Sequence, residues 1–125
     1  MGRNLLLVAL LVAVVAPSAL AEDATATATV CAEVKDRACQ GAGEKFAANV
    51  GQLYCLSEVK NGVDKVVHAW FFGDKEVAAI DLGVKGERWR TWSAKRIVPT
   101  MKGAWRVEVR DVSGKVLATA SFSVE

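Results

Sequence analysis

Strict alternation of apolar and polar side chains constrains the fold of this chain more than any other feature. In the C-terminal segment, every second position from Val116 to Val124 is apolar or small, and most positions between them are polar. The same period of two marks residues 25–35 and 105–110. Successive side chains of a strand point to opposite faces of a sheet, so these segments are predicted to be β-strands buried on one face.

Four further strands are predicted between these segments, at residues 53–60, 65–72, 75–82 and 87–93. Turn residues separate them, such as Asn61-Gly62 and Gly73-Asp74, because glycine tolerates the positive φ of tight hairpin turns. One helical turn is predicted at residues 44–49. Seven short strands without a long helix predict an all-β fold, an antiparallel immunoglobulin-like β-sandwich of about seven strands. A small β-barrel is the alternative.

Residues 1–21 have the layout of a secretory signal peptide. Arg3 supplies the positive start, residues 5–16 are apolar, Pro17 breaks the run, and Ala19 and Ala21 form an A-x-A cleavage site. The apolar run is shorter than the roughly 20 residues of a spanning helix. Cleavage is therefore predicted after Ala21, with a retained anchor as the alternative. The product is expected to be periplasmic or secreted, with no membrane span.

The remainder is predicted to hold a short tether at residues 22–26 and a single domain at residues 27–125, since a chain of this size buries one core. The formal net charge of the whole chain is +2, and one of its positive charges is Arg3 of the signal peptide. Nucleic-acid-binding proteins carry a strong basic excess on one face. No nucleic-acid partner is therefore expected.

The chain has three cysteines, Cys31, Cys39 and Cys55, and export would take them to a compartment where disulfides persist. An odd number allows at most one internal bridge and leaves one thiol over. Loop entropy does not decide the pairing. Cys31 and Cys55 lie in consecutive predicted strands, so a Cys31–Cys55 disulfide is favoured. Cys39 is then free, capped or available for pairing with another chain.

The sequence carries no recognisable catalytic motif. His68 is the only histidine, and together with the three cysteines it fits no compact zinc pattern. No nucleophile elbow, phosphate loop or carboxylate pair is present. His68 shares a strand face with Val66 and Trp70, where a packed, hydrogen-bonded histidine is the ordinary expectation. We expect no catalytic residue, metal or cofactor, and a protein that is not an enzyme.

The segment with the most unusual composition is residues 87–93, Glu-Arg-Trp-Arg-Thr-Trp-Ser, which places two arginines beside two tryptophans. In a strand, Arg88, Arg90 and Trp92 point to one side. Burying two unpaired guanidinium groups would be costly, so this side is predicted to face solvent or the rim of the domain. Trp89 then faces the core. Two other tryptophans are predicted to pack with it: Trp70 and Trp105.

Two interpretations of the solvent-facing residues compete. The first is a structural cation–π stack, in which arginine stems cover the Trp92 indole. The second is a recognition patch, because Trp and Arg dominate binding hot spots. In the second interpretation, His68 joins the patch, and Arg106 and Arg110 enlarge it if their strand lies alongside. The sequence does not decide between the two.

Seven short motifs occur in order along the chain, at residues 34–37, 43–46, 53–55, 68–70, 88–93, 103–107 and 114–117. As an ordered set they resemble the uncharacterised bacterial family named domain of unknown function 2914. The resemblance spans nearly the whole chain after residue 21 and implies an exported or membrane-tethered all-β domain. It implies no activity and transfers no functional residue. Cys39 stands where the family pattern has proline, which favours leaving Cys39 out of the disulfide.

Together these features predict an exported, non-enzymatic binding module of the bacterial envelope. Its partner is expected to be a protein or another envelope component. A purely structural envelope domain is the main alternative. A carbohydrate-binding module and a thiol-redox protein built on Cys39 are the others.

Overall fold

The computed structural model describes residues 23–125, so the predicted signal peptide and its cleavage site lie outside the described residues. Within this range no helix is long and apolar enough to cross a bilayer. The described residues form ten strands: β1 (Thr25–Ala26), β2 (Thr29–Lys35), β3 (Ala38–Ala42), β4 (Lys45–Phe46), β5 (Gln52–Lys60), β6 (Lys65–Phe72), β7 (Lys75–Gly83), β8 (Arg88–Arg96), β9 (Gly103–Arg110) and β10 (Val116–Val124).

The strands form two five-stranded sheets. In the first sheet, β8 pairs with one side of β5 over residues 52–60. The other side of β5 pairs with β1 and β2, and β3 follows β2. The second sheet has the order β4-β10-β9-β6-β7. All pairs are antiparallel except the short β4–β10 pair.

The antiparallel immunoglobulin-like sandwich is confirmed, and its framework is the predicted one. Seven of the ten strands have seven or more residues, and each lies at a predicted strand. The alternation buries one row of each sheet, as in β5, where Leu53, Cys55, Ser57 and Val59 are all buried. The two buried rows face each other and form the core.

Three local predictions need correction. Lys45–Phe46 form a strand beside β10, where a helical turn was expected. This short strand closes the sheet edge that β10 would otherwise leave open. The strand at Ala38–Ala42 was not predicted, because its small residues carry no alternation. The predicted tether at residues 22–26 is too long at its end, since Thr25–Ala26 pair with β5.

The larger of two core clusters is aromatic. Trp105 stacks on Phe122 with ring centroids 5.9 Å apart, and Trp70 meets Phe122 edge-on at 6.2 Å. Trp89 was expected to join these tryptophans. It is only half-buried, opposite Val59 near the end of the sheet, and belongs to neither cluster.

The disulfide joins Cys31 to Cys39, with Cα atoms 5.7 Å apart, and Cys55 is a free, buried thiol. The predicted Cys31–Cys55 pair is therefore wrong, and Cys39 is not the spare thiol for intermolecular pairing. The register explains why, because Cys31 lies opposite Tyr54 while Cys55 lies opposite Val30. Side chains at successive strand positions point to opposite faces, so Cys31 and Cys55 face away from each other across the sheet.

Candidate functional site

Arg88, Arg90 and Trp92 lie in one row on the outer face of the first sheet; we call them the Arg–Trp row. The three side chains share this face because side chains alternate along β8, and the residues between them face the second sheet. The register sets the row against Glu58 and Leu56 of β5, opposite Arg90 and Trp92 respectively. The predicted sidedness of this strand is thus observed in the structure.

The charges of the row are only partly neutralised. Arg88 donates a hydrogen bond to the Glu58 carboxylate, and Arg90 lies 3.9 Å from the same group. The Arg88 hydrogen bond, together with the nearby positive charges, lowers the pKa of Glu58 below its ordinary value. Arg90 also donates to the main-chain carbonyl of Arg37 at 3.3 Å. One carboxylate therefore serves two arginines.

Trp92 is 40% exposed. Within residues 23–125, the cation–π contacts belong to Arg106 and Arg110, which lie over the Phe71 ring. Neither arginine of the row covers the Trp92 indole. An uncovered indole on a strand face remains available for contact with another molecule.

β8 is an edge strand, since β5 is its one strand partner in the described part of the chain. Hydrogen bonds at both ends of the β5–β8 ladder fix the direction of its main-chain groups. Asn61 donates to the carbonyl of Glu87 at 2.8 Å, and Ile97 donates to the carbonyl of Gly51 at 2.9 Å. In antiparallel pairs, hydrogen-bonded positions alternate with positions whose N–H and C=O point away. The odd-numbered residues of β8 therefore bond to β5, and the even-numbered residues point to the free edge.

A cleft of about 850 Å³ runs beside this edge. Five consecutive β8 residues, 88–92, line it. Arg37 of the β2–β3 turn adds to one side, and Gly83 and Lys85 add from the end of β7 and the connection to β8. Of the described residues that line the cleft, four are cationic and none is acidic. The cleft is therefore a basic site with two indoles.

His68 is not part of this surface. It is completely buried between the sheets, because the alternation of β6 turns it inward. Its Nε2 lies 2.7 Å from Ser57 Oγ, and its Nδ1 lies 2.7 Å from Ser93 Oγ, which also accepts a hydrogen bond from Trp70 Nε1 at 3.0 Å. Burial lowers the pKa of His68 to about 4. The proposed place of His68 in the recognition patch is wrong, and the packed, hydrogen-bonded interpretation is the one observed.

Arg106 and Arg110 also lie away from the Arg–Trp row, on β9 of the second sheet. The Arg106 guanidinium lies 3.9 Å from the Phe71 ring centroid, and the Arg110 guanidinium lies 5.6 Å away. Both arginines contact Glu108, at 3.4 and 2.8 Å. The predicted enlargement of the patch is therefore wrong, since β9 and β8 belong to different sheets. The structural cation–π stack exists, but it covers Phe71.

The remaining thiol lies in the core. Burial raises the pKa of Cys55 to about 12, although hydrogen bonds with the Thr29 main chain and the Ser57 side chain oppose this effect. Cys39, on which a thiol-redox activity would have been built, is bonded to Cys31. Residues 23–125 contain no group of three or more His, Cys, Asp or Glu side chains placed to hold a metal ion.

Sequence reasoning missed Glu58, Arg37 and Lys85 as members of the site. The register of β5 against β8 brings Glu58 to the arginines, and this register is not visible in either strand alone. Arg37 belongs to the β2–β3 turn, in which Asp36 and Arg37 both adopt positive φ. No motif marks such a turn in the sequence.

Fold and site together define an immunoglobulin-like β-sandwich domain with an exposed basic and aromatic edge strand. The family model described as "Protein of unknown function (DUF2914)" matches residues 63–124, which confirms the resemblance drawn from the sequence motifs. The match runs from just before β6 to the end of β10 and includes the Arg–Trp row. The motifs at residues 34–55 lie outside it.

One similar solved structure is the crystal structure of the CARDB domain of a Pyrococcus furiosus protein in complex with di-metal ions. Its TM-score is 0.52 and its sequence identity is 14%, over 82% of this chain and 92% of that chain. At this identity the likeness shows the fold alone. No curated protein matches the sequence. Neither the matching family nor the similar CARDB domain is described as having an enzymatic activity.

Proposed function

We propose that this protein is an exported, non-enzymatic module of the bacterial envelope that binds a partner protein through the Arg–Trp row. The observation that carries the proposal is the 40% exposure of Trp92 between a basic cleft and the outer sheet face. Binding would desolvate the indole while the Arg90 guanidinium holds carboxylate or carbonyl oxygens of the partner. Signal-like residues 1–21 support export to the periplasm or the medium.

The main competing function is a structural envelope domain in which the row only braces the sandwich. The second sheet contains a structural cation–π contact with which the Arg–Trp row can be compared. Phe71 is 7% exposed beneath Arg106, so the guanidinium covers the ring that it contacts. Trp92 has no such cover. The contrast favours recognition over bracing for the Arg–Trp row.

The proposal is tested by capture from an envelope extract with immobilised wild type, Trp92→Ala and Arg90→Ala. A matched control is Val116→Ala, because Val116 is 45% exposed on the other sheet. Removal of a hot-spot side chain costs about 2 kcal/mol or more, so capture of a specific partner should fall about thirtyfold with Trp92→Ala and remain unchanged in the control. The Tm should stay within a few degrees of wild type.

Two results would overturn the proposal. A large loss of Tm in Trp92→Ala would mean that the indole braces the sandwich. Equal capture by wild type and both row variants would mean that the partner binds elsewhere. Export is tested separately, by fractionating cells and sequencing the N-terminus of the mature protein. The expected first residue is Glu22, and a full-length cytoplasmic product would refute export.

A further inference from the structure

We propose that the free edge of β8 receives an extended acidic segment of the partner protein as an added β-strand. The inference rests on the proposed function and deepens it, because it names the chemistry of the partner segment and the way in which it is held. Strand addition is a recurrent mode of peptide recognition, in which main-chain hydrogen bonds give affinity and alternate side chains give specificity.

The main chain of β8 presents the groups that such a strand needs. The ladder hydrogen bonds at Glu87 and Ile97 assign the odd-numbered residues to β5. Arg88, Arg90 and Trp92 therefore direct their N–H and C=O groups to the free edge. These are the residues whose side chains form the row on the outer face. Main-chain and side-chain recognition thus coincide on the same three residues.

The shape of the cleft follows the strand edge. Side chains of successive strand residues point to opposite faces, so a cavity over one face meets the side chains of every second residue. This cleft is lined by all five residues from 88 to 92. Such a lining fits a cavity that runs along the free edge, where both sets of side chains are within reach. Five strand residues span about 16 Å, and an added strand would lie about 4.8 Å from β8 along this length.

The charge of the cleft selects an acidic occupant. Arg37 lines the cleft close to the outer-face side chain of Arg90, and Lys85 lines it from the connection between β7 and β8. An occupant of the cleft therefore meets cations from two separate connections as well as from β8. Arg88 is engaged by Glu58. Arg90 lies 3.9 Å from that carboxylate and donates one hydrogen bond to the Arg37 carbonyl, so its other N–H groups can take a further carboxylate. The exposed Trp92 indole offers an apolar contact at the end of the same row.

A second copy of this chain is a poorer occupant. Pairing of two β8 edges would bring basic strands together, which is unfavourable. Of the two edge strands of the other sheet, β4 and β7, only β7 carries acidic residues, Glu76 and Asp81. Both already face cations of their own chain, at 3.7 Å from Arg110 and 2.9 Å from Lys65. Charge complementarity therefore points to a separate acidic chain.

The experiment uses the mature protein and a fluorescein-labelled nine-residue peptide of alternating glutamate and valine. Two derivatives carry backbone N-methyl groups, one on every glutamate and the other on every valine. N-methylation removes the strand hydrogen bonds of one peptide edge and keeps the charge. Fluorescence anisotropy should show binding of the parent peptide and at least about tenfold weaker binding of one N-methylated derivative. A lysine–valine peptide should not bind.

Protein variants locate the site on β8. Arg90→Gln should weaken binding of the parent peptide about tenfold, and Arg96→Gln, a control on the same strand outside the cleft, should not. In hydrogen exchange followed by NMR, the amides of Arg90 and Trp92 should become protected when the peptide binds. Protection at odd-numbered positions alone would contradict the assignment of the free edge.

Other results would overturn strand addition. If the parent peptide does not bind, or if both N-methylated derivatives bind as tightly as the parent, charge or another surface explains recognition. Tighter binding of a polygalacturonate fragment in the same cleft would make the occupant an acidic glycan. Dimerisation of the wild type that is lost in Arg90→Gln would make it a second copy. If Trp92→Ala abolishes partner capture while N-methylation changes nothing, the proposed function stands and strand addition fails.

Discussion

Acid should destabilise this domain through one buried residue, His68. The ring is 0% exposed, and both of its nitrogens lie 2.7 Å from serine hydroxyls. A neutral imidazole suits this arrangement, with one nitrogen donating and the other accepting. Protonation would place a charge in the core beside two hydroxyl groups, and no carboxylate of residues 23–125 contacts the ring to neutralise it. Burial accordingly lowers the pKa of His68 from 6.5 to about 4.

The sign and size of the effect follow from linkage. Between pH 6.5 and about 4, the unfolded chain binds a proton at His68 and the folded chain does not. Falling pH therefore favours unfolding, and the stability contributed by the neutral ring is complete above about pH 6.5 and lost as pH approaches 4. At about 1.4 kcal/mol per pH unit, the loss is on the order of 3 kcal/mol.

The assay is urea unfolding followed by tryptophan fluorescence, at several pH values from 7.5 to 4. His68→Gln is the control, because glutamine can hydrogen-bond to the serines but does not titrate. Carboxylates with lowered pKa values, such as Glu58 and Glu108, titrate in both proteins and cancel in the difference. His68 is the only histidine, so the difference reports this residue alone.

The wild type should lose about 3 kcal/mol more than His68→Gln between pH 7 and pH 4. The variant should be less stable at pH 7, where the hydrogen bonds of the histidine are optimal, and the gap should close in acid. Parallel pH profiles for the two proteins would refute the reasoning. So would an NMR titration that places the pKa of native His68 near 6.5.

Two further predictions concern the thiols and the arginines. Ellman's reagent should find no reactive thiol in the native protein and one per chain after denaturation without reductant, because Cys55 is buried and Cys31 is bonded to Cys39. Two or more thiols per denatured chain, or a peptide map that shows Cys55 in a disulfide, would refute the pairing. Arg106→Ala should lower the free energy of unfolding by about 1–2 kcal/mol, because the substitution uncovers Phe71. Arg88→Ala should lower it much less, since Arg88 is a surface residue in an exposed ion pair. Equal losses of stability would refute the distinction between a structural role for Arg106 and a surface role for Arg88.

The periodicity of the sequence predicts most of the fold because burial acts on each strand separately. A strand covered on one face shows its two environments as alternation, so β6 and β9 could be identified with their inward rows. In β10 the predicted inward row begins at Ala118, because a bulge between Val116 and Ala118 leaves Val116 exposed. Turn residues such as Asn61-Gly62 then mark where each strand ends. Short strands escape this reasoning. Two residues such as Lys45–Phe46 cannot display a period, and their pairing with β10 depends on the assembled sheet.

The disulfide and the site depend on register, which the sequence of one strand does not contain. A shift of one residue in the register of β2 against β5 would place Cys31 and Cys55 on the same face of the sheet. The observed register instead keeps Cys31 opposite Tyr54. The sides of β8 were predictable, because buried guanidinium groups are costly. The residues that contact the Arg–Trp row were not predictable, since Glu58 lies on β5 and Arg37 lies in the β2–β3 turn.

The counterions decide which arginines are available to another molecule. Arg106 and Arg110 share Glu108, lie against Phe71, and are held in place by both contacts. Arg88 is held by the Glu58 hydrogen bond. Arg90 shares that carboxylate only at 3.9 Å and keeps its main-chain groups at the free edge. Within the Arg–Trp row, a partner carboxylate therefore meets less competition at Arg90 than at Arg88, and recognition by the edge of β8 should depend on Arg90 more than on Arg88.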